Sequence, residues 1–240
     1  MAQRIDGDSA TGSVGFLDTS ALLVNYGPVP PFAEQTRQRL RDASLDVLAG
    51  AITAGNPTVS MAAVAREVGV SRQTLYNEFG DREGLLTALA DRENATVLAA
   101  VLGELDAHGD DLVGAVAAAA GLAVRMAQDD VLHKALLTGD SSTVGVIVGH
   151  GESILLRSTA QLSEFMHRRF PDLDPEDTLL LVDVVVRFVQ SHLMVPHEAA
   201  DHVARQVHRL VERYLAGNPA GADRTLTRAA VHDDIPGGSR

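Results

Sequence analysis

Arg72, Gln73, Tyr76 and Asn77 fall within six consecutive positions of a 240-residue chain, and all four are side-chain types that read or grip nucleic acid. An arginine fork pairs with the two major-groove acceptors of guanine, Gln and Asn pair with the donor and acceptor of adenine, and a tyrosine hydroxyl bonds a phosphate oxygen. Leu75 and Phe79 lie four apart and define the inward side of the same helical pattern, which leaves the polar four on the outer face. Base-edge contacts are expected from Arg72, Gln73 and Thr74. Backbone contacts are expected from Ser60, Tyr76, Asn77 and Arg82, and Ser71 belongs to the same surface as the residue that starts the reading helix. Glu78 fits poorly, because an acid near phosphate repels; it either points away or accepts from cytosine N4.

The elements that must hold these side chains are short and sharply punctuated. Ser60 offers a hydroxyl to cap a helix in which Val64, Ala65 and Val68 recur at helical spacing. Gly69 supplies the positive φ of a tight turn, Val70 fills the corner, and Ser71 caps the next helix. Asp81 caps a third, placing Arg82 at its positively polarised start, a natural phosphate contact. Two short helices meeting at a glycine read as a helix-turn-helix. The same pattern also suits a tight helical hairpin whose polar face is merely solvated.

The residue string distinguishes the two. Val64-Ala65, Gly69-Val70-Ser71, Thr74-Leu75-Tyr76, Phe79 and Leu85-Leu86 together resemble the hallmark of the TetR/AcrR family of one-component transcriptional regulators. The resemblance covers about a quarter of the chain closely. It implies an all-α fold, with an N-terminal three-helix helix-turn-helix DNA-binding domain followed by a C-terminal helical ligand-binding and dimerisation domain. It also implies a homodimer on double-stranded, palindromic operator DNA, and a small effector that changes DNA affinity.

Composition agrees and removes rivals. The chain has no Cys, so neither a disulfide framework nor a Cys-ligated zinc finger is available. Its longest apolar run, Leu112 to Val124, has 13 residues and ends at Arg125, whereas a membrane span needs about 20. The first residues lack the apolar stretch of a signal peptide, so the expected location is the cytoplasm, without a membrane partner. The net charge of −12 has the wrong sign for a protein that coats nucleic acid, yet residues 35–93 carry seven basic and eight acidic side chains against nine and seventeen in residues 94–217. An acidic body behind a near-neutral reading head suits selective binding of one operator, with weak non-specific affinity.

Along the chain, residues 1–31 read as a disordered arm ending in PVPP, 32–80 as the helix-turn-helix domain, 81–217 as the helical ligand-binding and dimerisation domain, and 218–240 as a disordered tail. The arm holds only Arg4 against three acids within residues 1–31, which argues against a role on DNA. Arg37, Arg39 and Arg41 open a first helix that stops at Gly55-Asn56-Pro57. A long helix from Arg82 joins head to body, an Ala-rich helix spans Leu112 to Gln128, and a short one capped by Asp129 or Asp130 ends at Leu137. Thr138 to Gly151, rich in Gly and β-branched residues, is expected to be a loop that could gate a ligand cavity, with a helix following from about Glu152. Helices at about 175–194, apolar almost all round, and at about 198–215 are expected to form half of a four-helix dimer interface.

Catalytic chemistry finds no support: there is no G-x-S-x-G elbow, P-loop or G-x-G-x-x-G, and His150 with Ser153 matches no catalytic arrangement. His192, His197, His202 and His208 lack the i, i+4 spacing of paired metal ligands, so no metal or cofactor is expected. The body is expected to bind a small apolar effector of fatty-acid or acyl type. Leu98, Leu102, Leu122, Met126, Leu137, Phe165, Phe188 and His192 are its expected lining, although each also suits plain core packing. A helical dimer acting through protein partners without DNA binding is the alternative reading.

Overall fold

The computed structural model describes residues 31–138, 141–195 and 198–217. The chain divides into two compact units, residues 1–39 and 40–240. Of the first, residues 31–39 are described. There the Pro31 carbonyl accepts from the backbone N–H groups of Glu34 and Gln35, and the Thr36 hydroxyl donates to the Phe32 carbonyl at 2.9 Å. Helix α1 (Phe32–Thr53) starts here, earlier than the arginines suggest, and continues into the second unit, where it buries Leu45, Leu48 and Ile52.

The second unit continues with α2 (Met61–Val68), α3 (Arg72–Phe79), α4 (Arg82–Ala107), α5 (Leu112–Asp129), α6 (Val131–Thr138), α7 (Ser141–Arg169), α8 (Pro175–Met194) and α9 (Ala200–Gly217). All regular structure among the described residues is helical. The starts of α2, α3 and α4 are each closed by the expected side chain: Ser60 accepts from the Ala63 N–H, Ser71 from the Thr74 N–H and Asp81 from the Gly84 N–H. Each cap satisfies an N–H that the helix itself leaves unpaired. Gly69 ends α2 with φ +80° and ψ 29°, and its neighbourhood holds nothing within 4 Å of where a Cβ would sit. Asp130 is the residue that caps α6, accepting from the Leu132 N–H at 2.8 Å.

Two apolar cores follow. One gathers Leu45, Leu48, Leu75 and Leu86 with Leu132 and Leu136 of α6 and Ile147 of α7. The other gathers Ala115, Ala119 and Val124 of α5, Met166 of α7, Val182 and Val185 of α8, and Val203, Val207 and Val211 of α9. Helix α4 has 26 residues, about 39 Å at 1.5 Å per residue, and supplies Leu86 to the first core and Leu105 to the second. The alanines of α5 let α9 come close: a Cβ on Gly121 would stand 3.0 Å from the Ala204 Cβ. By length and composition α5 could cross a bilayer, but more than half of it is buried in this core.

One segment corrects the sequence reading. The stretch from Thr138 to Gly151 is not a loop that gates a cavity; α7 begins at Ser141, about eleven residues before the expected start. Thr143, Ile147, Gly151 and Leu155 form a buried stripe at intervals of four, and that burial outweighs the helix penalty of the glycines. Residues 1–30 of the arm, the 218–240 tail and His197 lie outside the described residues.

Because Gly69 has open space around it, only its backbone conformation resists a side chain. Gly69→Ala should lower unfolding stability by about 1–2 kcal/mol, read as a shift of the urea midpoint.

Candidate nucleic-acid interface and body cavity

Helix α3 is only eight residues long, too short to persist alone, so its orientation comes from what it buries. Leu75 is fully buried and Phe79 nearly so, which turns Arg72, Gln73, Thr74, Tyr76 and Asn77 outward, all exposed. The face is partly organised in advance. Gln73 Nε2 donates to Asn77 Oδ1 at 2.7 Å, and the Ser71 and Thr74 hydroxyls are 2.8 Å apart. Ser60 and Ser71 are exposed as well, at the starts of α2 and α3, where backbone N–H groups and helix dipoles favour an anion.

Glu78 points away from this face. Its carboxylate takes an ion pair from Arg41 of α1 at 2.5 Å, with the Glu78 side chain 9% exposed, and the Arg41 guanidinium lies 5.1 Å from the centre of the Phe79 ring. This resolves the acid that fitted poorly, and it occupies Arg41, one of the three arginines of α1.

Arg82 does not project as expected. Its guanidinium turns inward, where Nη2 donates to the Pro57 carbonyl and to Thr143 Oγ1 at 3.1 Å. The start of α4 is thereby tied both to the loop before α2 and to the first turn of α7. A second polar cluster clamps α4 to α7 farther along. Asp91 Oδ1 lies 2.7 Å from His150 Nε2 and accepts from Arg157, whose Nη1 donates to Ser153 at 2.6 Å. His150 and Ser153 therefore serve this clamp.

In the body, α4, α5, α7 and α8 line a half-open cavity of about 130 Å³. Its wall is aliphatic, from Val97, Leu98 and Val101 of α4 through Ala119, Ala120 and Ala123 of α5, with Asn94, Ser158 and Gln190 as the polar exceptions.

Two family models match the chain: bacterial regulatory proteins of the tetR family over residues 52–89, and the bacterial Tetracyclin repressor C-terminal domain over residues 111–213. The HTH-type transcriptional regulator AlkX of Mycobacterium tuberculosis is 30% identical over 184 residues, 75% of this chain and 87% of that protein. The chain belongs to the TetR family of transcriptional regulators. Its helical fold is also that of the TetR-family repressor AlkX from Dietzia sp., at TM-score 0.62 and 23% identity over 75% of this chain and 95% of that one. A TetR-family regulator from Pectobacterium atrosepticum has TM-score 0.53 and 18% identity over 78% and 97%.

In this TetR-family regulator, Leu98 alone of the eight expected lining residues stands on the cavity wall. Leu102, Phe165 and Phe188 are half-buried against the second core, and Leu122, Met126 and Leu137 are partly exposed elsewhere. His192 is buried, its Nδ1 2.9 Å from the Phe188 carbonyl and its ring 4.6 Å from the Phe188 ring. Both His192 Nε2 and His202 Nε2 lie 3.6 Å from Glu198 Oε2; among the described residues no group of three His, Asp or Glu side chains is placed to hold a metal. The residue types were right, since the wall carries Leu105, Leu155, Leu162 and Met166, but the chosen positions lie on other helix faces. The stripe Asn94, Val97, Leu98, Val101 and Leu105, at i, i+3, i+4, i+7 and i+11, was the available signal.

Replacing Arg82 should test its inward role. Arg82→Ala removes hydrogen bonds made by a charged donor and should cost about 2 kcal/mol, measured by urea unfolding with no DNA present.

Proposed function

We propose that this chain is a repressor: a homodimer that sets two copies of α3 into major grooves of a palindromic operator and leaves when a small apolar molecule occupies the body cavity. The observation that carries this reading is the exposed face of α3, a row of base-reading and phosphate-gripping side chains fixed by a fully buried Leu75 and a serine cap. Arg72, Gln73 and Thr74 meet base edges; Ser60, Ser71, Tyr76 and Asn77 hold the backbone. Residues 32–80 act as the head and 81–217 as the body. The name of the M. tuberculosis relative, a helix-turn-helix transcriptional regulator, supports the same reading, and a regulator of this kind works in the cytoplasm.

The dimer forms through α8 and α9. Leu179, Leu180 and Val184 of α8 are about half exposed, as is part of Leu210 on α9. Large apolar side chains left in water on two successive helices suit a two-fold seam with a second copy. Two recognition helices joined this way read half-sites about one helical turn apart, or a multiple of it.

Ligand control follows from the α4–α7 contacts. A guest that shifts α7 moves Thr143, and with it the Arg82 link to the Pro57 carbonyl beneath the head. Such a guest favours a dimer whose recognition helices no longer match the operator spacing.

Two measurements test the proposal. On upstream intergenic DNA, Arg72→Ala should lose about 1–3 kcal/mol of binding and relax specificity at one operator position, while Tyr76→Phe should weaken all sequences alike. A chain that binds no DNA at any salt concentration would instead be a helical dimer acting through protein partners. Leu180→Glu combined with Val184→Glu should convert the dimer into a folded monomer, read by light scattering after gel filtration.

A further inference from the structure

We infer that the body cavity takes a neutral chain molecule with a single hydrogen-bonding head, of primary-alcohol type, and rejects the corresponding carboxylate. The inference rests on the reading of this cavity as the effector site, and it narrows the fatty-acid or acyl class expected from sequence.

Charge decides the class. None of the twenty-one lining residues is acidic, basic or histidine. An ionised carboxylate placed here would lose its water and gain no cation, an exchange that strongly disfavours burial. Arg157 does not line the wall, and its guanidinium is already engaged by Asp91 and Ser153.

The polar groups are also gathered at one end. Asn94 is the first lining residue of α4 and meets Ser158 of α7, while Gln190 of α8 reaches back to the Gly151 carbonyl at 3.4 Å. Gly151 lies seven residues before Ser158 on α7, about 10 Å along the helix, so Gln190 is on the same side of the cavity as the Asn94–Ser158 pair but apart from it. The other end, walled by Leu105, Met166 and Leu181, offers no polar side chain. A cavity polar at one end and aliphatic at the other fits a head and a tail.

Asn94 and Ser158 suit a hydroxyl in particular. Their side chains approach at 3.4 Å and 3.5 Å, the long limit of a hydrogen bond, so neither group has a strong partner in the other. A primary alcohol donates once and accepts once, which complements an amide that offers both roles. The volume of about 130 Å³ is close to the roughly 150 Å³ known to admit benzene. Chains of about six to eight carbons are therefore the size to use.

The test titrates the full chain with 1-octanol, octane and octanoate at pH 8 by calorimetry, with anisotropy of upstream intergenic DNA recorded in parallel. The expected result is 1-octanol binding about tenfold more tightly than octane and more tightly still than octanoate. Asn94→Leu and, separately, Ser158→Ala should each erase most of the advantage of 1-octanol over octane, and the near-isosteric Ser158→Ala guards against misfolding of the first. Octanoate equal to or better than 1-octanol, an undiminished alcohol preference in both folded variants, or no binding of 1-octanol up to its solubility limit overturns the inference. If 1-octanol binds as expected and DNA affinity is unchanged, the ligand class stands and the effector reading falls. If octanoate releases the DNA and 1-octanol does not, the effector reading stands and this inference falls.

Discussion

A guanidinium turned into a protein seeks acceptors, because dry donors carry a penalty. Arg82 finds two through Nη2, the Pro57 carbonyl and the Thr143 hydroxyl, while its Nε is buried without one, so three separated segments meet at one charge. The loop before α2, the start of α4 and the first turn of α7 are thereby held in fixed relation. An aliphatic side chain at this position could pack there but could not impose direction.

The apolar cores reinforce the same arrangement. The core beneath α3 is not private to the head: α6 contributes Leu132 and Leu136, and α7 contributes Ile147. The helices that wall the cavity also help to support Leu75, whose burial orients the reading face. The first core therefore draws on helices from α1 to α7, consistent with residues 40–240 forming one compact unit.

What could be read from the sequence was local. Ser60, Ser71 and Asp81 announce their caps, and Gly69 its turn, within four residues of themselves, and the structure has each of these. Arg82 obeyed the local rule for a helix start and still went elsewhere, because its partners lie 25 and 61 positions away. The beginning of α7 was obscured by glycines, whose poor helix propensity hid a buried stripe running through Thr143 and Ile147. The cavity was hardest to foresee: its Leu, Ile and Val residues are the same types that fill a core, and only the packing of four helices decides which faces leave a void.

The alanines of α5 have a further effect. Where α5 meets α9, even one added methyl at Gly121 would press against Ala204 at 3.0 Å, and surfaces meshed so tightly have no slack in which to slide. The α4–α7 boundary is different, held by Asp91, His150 and Arg157, polar contacts that can re-form after a small shift. The two boundaries of the body are thus held by different physics, close steric meshing between α5 and α9 and hydrogen bonds to one carboxylate between α4 and α7.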